Sequence, residues 1–221
     1  MKDSSRIRVK ICCISSIEEA WMAINRGADA IGLVSAMPSG PGPIPEELIA
    51  EIARAVPPSI GTFLLTCRQD VRSIIRQQQS AGVNTIQICD RLTEGSYDEL
   101  RDALPGIKLV QVVHVTGPES VEEAVQVGPS VDAILLDSGN QSLKIKELGG
   151  TGRVHDWRLS RQIRESVEVP VFLAGGLKPE NVGEAIEQVE PFGVDICSGL
   201  RPQGKLDPDL LASFFSAIAR P

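Results

Sequence analysis

The chain alternates short apolar runs with longer amphipathic segments, and this alternation restricts the fold more than any other feature of the sequence. Eight apolar runs are short enough for buried strands and lie at 7–12, 30–35, 60–65, 85–89, 108–113, 132–137, 169–174 and 193–197. Segments with helical periodicity lie at 16–26, 45–55, 70–81, 118–127, 156–166, 179–189 and 207–219. Strands that alternate with helices predict βαβ units and therefore a parallel sheet.

Eight such units in 221 residues, at a mean spacing of about 27 residues, predict an α/β protein that closes into a (β/α)8, or TIM, barrel. The alternative is an open doubly wound sheet, which the lack of a GxGxxG motif after the first strand disfavours. No linker or change of composition divides the chain, so we expect one barrel domain over residues 1–221. The Pro- and Gly-rich segment 35–45 is expected to be a loop after the second strand.

The predicted helices carry local start and stop signals. The segment SSIEE at 15–19 resembles a capping box, in which serine and glutamate side chains bind the first backbone N–H groups. Proline is expected in the first turn of two helices, at Pro179 and Pro208. Gly27 is suited to the left-handed conformation that follows a helix.

Composition and charge narrow the classes of partner. A net charge of −7 disfavours nucleic-acid binding, which needs a basic surface. There is no run of about 18 apolar residues and no apolar N-terminal core of a secretory signal, so we expect neither membrane insertion nor export. The five cysteines are therefore expected as free thiols in a reducing cytoplasm. Their spacing fits no metal motif, and a disulfide between adjacent Cys12 and Cys13 ranks below free thiols.

Cys12 ends the first predicted strand, where a barrel of this type places its active site. Because side chains alternate along a strand, Lys10 and Cys12 should face the barrel axis when Val9 and Ile11 face the helices. Cys13 then points away or into the loop. Cys12 is a candidate for thiol chemistry, and the alternative is a small buried core residue.

Asp137 ends the sixth predicted strand and follows the same parity, with Leu135 facing inward. An aspartate at the end of a buried apolar strand is costly to bury unpaired, whereas a barrel rim suits a general acid. The alternative is a solvated carboxylate that caps a loop. A thiol and a carboxyl on strands 1 and 6 could face each other across a bound substrate.

Glycine-rich turns follow the last three strands, at 147–157, 173–182 and 197–200. Glycines let backbone N–H groups converge on an anion, and the loops after strands 7 and 8 are the usual phosphate site of this architecture. The combination predicts a phosphate site, although each turn alone would predict only a tight turn.

These motifs together resemble the phosphoribosylanthranilate isomerase family. The resemblance is carried by VKIC at 9–12, GADAIGLV at 27–34, LLD at 135–137, GGTGRVHDW at 149–157, LAGGLKPENV at 173–182 and PFGVDICSGL at 191–200. It implies a (β/α)8 barrel that isomerises N-(5-phosphoribosyl)anthranilate in tryptophan biosynthesis, with no cofactor and no metal. The implied partner is this small phosphorylated substrate, and a monomer and a homodimer are both compatible with the fold.

The resemblance also implies residue roles. Cys12 takes the place of the family's general base and Asp137 that of its general acid. The phosphate-binding turns fall on Gly150, Thr151, Gly152, Gly175, Gly176, Ser198 and Gly199. Asp137 would protonate the ring oxygen, the ribose would open to a protonated Schiff base, and the Cys12 thiolate would remove the C2 proton. Cys13 stands where the family usually has glycine and is interpreted as a local variant.

Four sites depart from the family's pattern. Gly42 stands where the family has an arginine that pairs with the anthranilate carboxylate. Cys89 and Asp90 replace a His–Gly pair, Gln111 replaces a basic residue, and Arg201 replaces an acid. Losing a charge-assisted contact costs about 1.5–3 kcal/mol, and Arg201 is our candidate for restoring it from another side.

Two other functions are therefore kept open. One is an Amadori-type isomerase that acts on a different N-phosphoribosyl amine, since the departures lie on the amine side. The other is a barrel that binds phosphate but has lost catalysis. The presence of both Cys12 and Asp137 disfavours the second alternative.

Overall fold

The structure is a computed structural model that describes residues 6–219. Its strands are β1 (Arg8–Ile11), β2 (Ala30–Val34), β3 (Gly61–Thr66), β4 (Thr85–Ile88), β5 (Lys108–His114), β6 (Ala133–Asp137), β7 (Val171–Leu173) and β8 (Gly193–Ile196). Its α-helices are α1 (Ile17–Asn25), α2 (Glu46–Ala55), α3 (Val71–Ala81), α4 (Tyr97–Ala103), α5 (Glu119–Val127), α6 (Trp157–Ser166), α7 (Val182–Val189) and α8 (Pro208–Ile218). Short 3-10 helices cover Gly128–Ser130 and Ser198–Leu200.

The strands close into a barrel in the order β1 to β8, with every neighbouring pair parallel. Closure is made by β1 and β8, where Lys10 pairs with Asp195 and Ile11 with Ile196. The predicted (β/α)8 barrel is therefore confirmed. Since all strands run in one direction, their carboxyl ends meet at one mouth of the barrel.

Apolar side chains form two separate layers, and these confirm the strand parity. Val9, Ile11, Ile134 and Leu136 belong to the layer between the strands and the helices. Cys12, Leu135, Phe63, Val112 and Phe172 belong to the layer inside the barrel. Burial on both faces explains why the strands are almost continuously apolar in the sequence.

The local helix signals were predicted with mixed success. Ser16 accepts a hydrogen bond from the backbone N–H of Glu19, and Asp207 caps α8 with Pro208 at its first position, as expected. Gly27 has a φ of 105°. The prediction for Pro179 is wrong, because α7 begins only at Val182 and the proline lies in the preceding turn.

The fourth helix, α4, has seven residues and was not assigned from the sequence. It buries one side chain, that of Leu100, so its apolar stripe is too short to show periodicity. None of the helices within residues 6–219 combines the length and the hydrophobicity needed to cross a lipid bilayer.

Candidate active site

A cavity opens at the carboxyl ends of the strands. Its walls include Cys12 at the end of β1, Asp137 at the end of β6 and Asp195 in β8. The loops after β2, β6, β7 and β8 form the rim. The structure thus brings the predicted thiol and the predicted carboxyl to one cavity, as their inward parity requires.

Cys12 is buried, with 4% of its surface exposed, and its thiol is free. Its backbone N–H donates to the Ile196 carbonyl at 2.8 Å, which ties the end of β1 to β8. Burial raises the pKa of Cys12 to about 11, and nearby Lys10 opposes part of that increase. The resting group is therefore a thiol that needs positive charge nearby to act as a base.

Asp137 is also buried, with 8% exposed. Its Oδ1 accepts a hydrogen bond from the Ser138 backbone N–H at 2.7 Å, which fixes the carboxyl at the strand end. Gly149 passes so close that a Cβ there would lie 2.7 Å from Asp137 Oδ2. His155 lies nearby, and burial lowers its pKa against the opposing charge of Asp137. One oxygen of the carboxyl is thus held while the other faces the glycine turn and the cavity.

Most of the predicted phosphate-binding residues line this same cavity. Those on its wall are Gly150, Thr151, Gly152, Gly175, Gly176 and Ser198. Gly176 has a φ of 63°, and a Cβ there would lie 2.6 Å from the backbone of Arg153, so the two turns pack directly on each other. Gly199 is not on the wall, and a Cβ there would overlap the Leu177 carbonyl. It serves the close packing of the loops after β7 and β8.

The prediction for Arg201 is contradicted by its position. Its guanidinium lies 2.8 Å from Glu19 on α1, and the side chain is only 4% exposed. Arg201 does not line the cavity, because Glu19 draws it behind the loop that follows β8. Glu19 also accepts from the Leu206 backbone N–H at 3.0 Å, so the pair clamps that loop to α1.

A second part of the cavity wall is mainly apolar and carries no cationic side chain. It consists of Val34, Met37, Ser39, Gly40, Pro41, Leu65, Gln87 and Leu148. The loop after β2 reaches the glycine turns here, since a Cβ on Gly150 would lie 2.4 Å from Pro41. Within residues 6–219, the side chains on the cavity wall include no Lys, Arg or His. Lys146 lies behind this rim, with its carbonyl bound by the Ser39 hydroxyl and its ammonium 2.5 Å from Asp90.

The departures after β4 and β5 also lie off the cavity wall. Gln111 is buried and accepts a hydrogen bond from the Tyr97 hydroxyl at 2.6 Å. Cys89 is fully buried, and its carbonyl lies 3.0 Å from the His114 ring nitrogen. These residues pack the barrel beside the site and do not line the cavity.

The expectation of five free thiols is wrong for two of them. Cys13 and Cys197 form a disulfide, whereas Cys12, Cys67 and Cys89 are free. Closure of β1 on β8 brings the residues after these strands together, with their Cα atoms 5.9 Å apart, which is within bridging range. A sequence separation of 184 residues concealed the pair. The adjacent Cys12 is not part of the bridge.

The disulfide also accounts for the glycine at the family's arginine position. Gly42 has a φ of 88°, and a Cβ there would lie 2.6 Å from the Cβ of Cys13. Since Cys13 fills the space that a side chain at 42 would need, the two departures are sterically coupled. Sequence reasoning treated them as independent.

Sequence reasoning also missed Gln87 and Asp195 on the cavity wall. Asp195 could have been found from parity, because it faces inward in the segment GVDIC in the way that Asp137 does in AILLD. Gln87 carried no comparable signal. The residues 6–219 contain no group of three or more His, Cys, Asp or Glu placed to hold a metal ion.

Fold and site together define a (β/α)8-barrel protein in which a thiol, a carboxyl and glycine-rich turns line one cavity at the carboxyl ends of the strands. Residues 9–217 match the family model for N-(5'-phosphoribosyl)anthranilate isomerase, and the chain belongs to that family. One relative, N-(5'-phosphoribosyl)anthranilate isomerase 2 of Methanosarcina mazei, is 41% identical over 196 residues, which cover 88% of this chain and 86% of the relative.

Two solved structures of the family are also similar. A phosphoribosylanthranilate isomerase in complex with reduced 1-(o-carboxyphenylamino)-1-deoxyribulose 5-phosphate has a TM-score of 0.77 at 28% identity, covering 96% of this chain and 98% of that one. Monomers generated from the dimeric isomerase of Thermotoga maritima give a TM-score of 0.78 at 27% identity, with the same coverage.

We expect the Glu19→Gln substitution to lower the melting temperature by several degrees at pH 7, because it removes the charge that pairs with Arg201. Burial acts to raise the pKa of Glu19, but hydrogen bonds from Arg201, Leu206 and Ser15 outweigh it and lower the pKa to about 2. The stabilisation is complete above the ordinary pKa of 4.5 and is lost as the pH falls towards 2.

Thermal melts of both proteins between pH 7 and pH 2 test this expectation. The difference in melting temperature should narrow below about pH 4.5. Glu18→Gln, on the exposed neighbour, is the matched control and should show little difference. A Glu19→Gln difference that stays constant over the whole range would contradict the role of this charge.

Thiol titration of the denatured protein should find three thiols without reductant and five after reduction. Reduction should also lower the free energy of unfolding by about 2–5 kcal/mol, since the bridge closes a long loop. A Cys13→Ser/Cys197→Ser variant should be insensitive to the reductant. Five reactive thiols in the unreduced protein would show that the bridge is absent.

Proposed function

We propose that this chain catalyses the Amadori rearrangement of N-(5'-phosphoribosyl)anthranilate to 1-(2-carboxyphenylamino)-1-deoxyribulose 5-phosphate, in tryptophan biosynthesis. The observation that carries the proposal is the presence of Cys12, Asp137 and the glycine turns on the wall of one cavity. Membership of the isomerase family supports it. No residue in the proposed mechanism requires a metal or an organic cofactor.

The first step assigns general-acid catalysis to Asp137. The carboxylic acid donates its proton to the ring oxygen of the ribose, and the bond from C1 to that oxygen breaks. The lone pair of the amine nitrogen forms the C1=N bond of a protonated Schiff base. Ser138 holds Asp137 Oδ1 at 2.7 Å, which leaves the other oxygen directed towards the substrate.

The second step assigns general-base catalysis to Cys12. The Schiff base carries a positive charge next to C2, which acidifies the C2 proton and favours a nearby thiolate. Cys12 removes that proton. The electrons of the C2–H bond form the C1=C2 bond of an enolamine, while the π electrons of the C1=N bond return to the nitrogen. Protonation at C1 and loss of the C2 hydroxyl proton then give the ketone product.

The glycine turns are assigned to the phosphate. The backbone at Gly150, Gly152, Gly175 and Gly176 is left-handed, and these turns line the cavity. The 3-10 helix that begins at Ser198 lies on the same wall. Such turns bind anions without a basic side chain. The similar isomerase structure holds a reduced product with a 5-phosphate, which supports this assignment.

The aromatic ring of the substrate is assigned to the mainly apolar part of the cavity wall, where Val34, Met37, Leu65 and Leu148 present apolar surface. The absence of a cation on this wall, within the described residues, also favours a second candidate function. A different aromatic or aliphatic N-phosphoribosyl amine, without a carboxylate, would suit the same cavity. The ribose chemistry is the same in both cases.

The proposal also covers where the enzyme acts and how the chain assembles. We place the enzyme in the cytoplasm, where a biosynthetic isomerase of this family would meet its phosphorylated substrate. The similar Thermotoga maritima isomerase is described as dimeric, so a homodimer of this 23.7 kDa chain is the assembly to examine first by light scattering. The single barrel domain is the unit that we propose carries the activity.

Replacing Cys12 by serine or Asp137 by asparagine should each lower kcat by at least about a hundredfold, since each removes one proton-transfer group. The assay follows the fluorescence decay of phosphoribosylanthranilate made in situ. Cys67→Ser is the control, because Cys67 is a free thiol off the cavity wall and should keep full activity. Full turnover by either cavity variant would remove that residue from the mechanism.

The reduced 1-(o-carboxyphenylamino)-1-deoxyribulose 5-phosphate and its counterpart without the ring carboxyl should bind with Kd values within about tenfold of each other. A charge-assisted contact is worth about 1.5–3 kcal/mol, and no cation on the wall supplies one. Calorimetric Kd values for both analogues test this. A preference above about a hundredfold for the carboxyl would show that a cation reaches the cavity, and Lys146→Met would then identify it.

A further inference from the structure

Lys10 is the largest side chain that the barrel interior buries completely, and the mechanism above does not use it. It lies on β1, two residues before Cys12, and faces the barrel axis. Its ammonium is 2.9 Å from Asp195 Oδ1 on the paired strand β8. Burial acts to lower the pKa of Lys10, but Asp195 and Cys12 outweigh it and the pKa is raised, so the ammonium stays charged.

The ammonium and the Cys12 thiol are immediate neighbours. A Cβ placed on Gly32 would lie 2.7 Å from Cys12 Sγ and 3.0 Å from Lys10 Nζ, so both atoms press on the same point of β2. Glycine at position 32 is what leaves room for the two groups to meet. The ring of Phe63 lies below, with its centre 5.2 Å from the ammonium, and offers its electron-rich face.

The ammonium has spare donor capacity. Asp195 Oδ1 pairs with it at 2.9 Å, whereas an ammonium carries three N–H donors. No second oxygen or nitrogen acceptor for Lys10 Nζ is found among the described residues. A fully buried ammonium with N–H groups that lack an acceptor is costly, and an anion formed beside it relieves that cost.

Other titratable groups around Cys12 do not supply positive charge. Asp195 faces it from β8 and raises its pKa, and the neutral thiol of Cys89 faces it from β4. Asp137, on β6, faces Asp195 across the cavity. His155 lies beyond Asp137, and burial keeps it neutral. Of these groups, Lys10 alone carries a positive charge.

We propose that Lys10 is a positioning residue that stabilises the thiolate of Cys12, and that Asp195 sets how much of the ammonium's charge reaches the sulfur. The assignment of Cys12 as the base rests on the proposed function, whereas the charge coupling rests only on the geometry. Lys10 thus favours formation of the Cys12 thiolate, and Asp195 partly offsets the positive charge of Lys10.

Substitution of the two members should therefore move the Cys12 pKa in opposite directions. Lys10→Met removes the cation and leaves the Asp195 carboxylate unopposed, so the pKa should rise and the thiolate fraction at pH 8 should fall about tenfold or more. Asp195→Asn removes the anion and leaves the ammonium facing the sulfur, so the pKa should fall. A general loosening of the barrel would instead shift the Cys12 pKa in the same direction in both variants.

The measurement is the rate at which iodoacetamide alkylates Cys12, followed by peptide mass spectrometry from pH 6 to pH 11 in the absence of substrate. The Cys67 peptide in the same digest reports any change in overall accessibility, and the disulfide removes Cys13 and Cys197 from competition. Lys10→Arg keeps the positive charge and should restore a profile close to that of the parent protein. It also serves if Lys10→Met fails to fold.

Opposite shifts of the alkylation profile in Lys10→Met and Asp195→Asn, with a near-parent profile in Lys10→Arg, would support the proposal. Shifts of the same sign, or no shift in either variant, would overturn it. The isomerase assay separates this failure from that of the proposed function. Turnover by the parent protein without the opposite shifts rejects the role of Lys10 alone, and absence of turnover rejects the proposed function.

Discussion

The parallel pairing of β1 with β8 is the interaction on which the rest of the structure depends. It converts an open sheet into a barrel, and without it the cavity would have no floor and no continuous wall. The same pairing aligns Lys10 with Asp195 and sets Cys12 on the Ile196 carbonyl. The contacts made when β1 pairs with β8 therefore position Lys10, Asp195 and Cys12.

Two parts of the cavity wall differ in how tightly their residues are packed. The ribose-phosphate end is held by left-handed glycine turns that pack on each other and on Asp137, so few substitutions are sterically possible there. The mainly apolar part of the wall consists of apolar side chains and a Pro- and Gly-rich loop. This asymmetry explains why the motifs of the first part match the family while the amine side departs from it.

Much of the fold and half of the site could be predicted because both follow from short-range rules. Strand alternation placed Cys12 and Asp137 inside the barrel, and glycine clusters marked the anion turns. The two wrong predictions at the site, for Arg201 and for the free thiols, involve contacts between residues far apart in sequence. Glu19 captures Arg201 from 182 residues away, and Cys197 meets Cys13 from 184 residues away. No local pattern encodes which distant residue a long side chain will reach.

The coupling between Gly42 and Cys13 is a further example. Each looks like an isolated departure in the sequence, whereas the structure shows one packing solution shared by the loops after β1, β2 and β8. A side chain at 42 would need the space of the Cys13 Cβ. The residues that positions 13 and 42 can hold are therefore constrained together.

The disulfide has a topological consequence, because it joins the two strands whose pairing closes the barrel. The backbone from Cys13 to Cys197 becomes a covalent ring that contains seven whole strands and seven α-helices. A single cut in any loop of that ring leaves one connected molecule with new ends at the cut. The two fragments of such a nicked protein stay joined by the sulfur bridge beside the seam between β1 and β8.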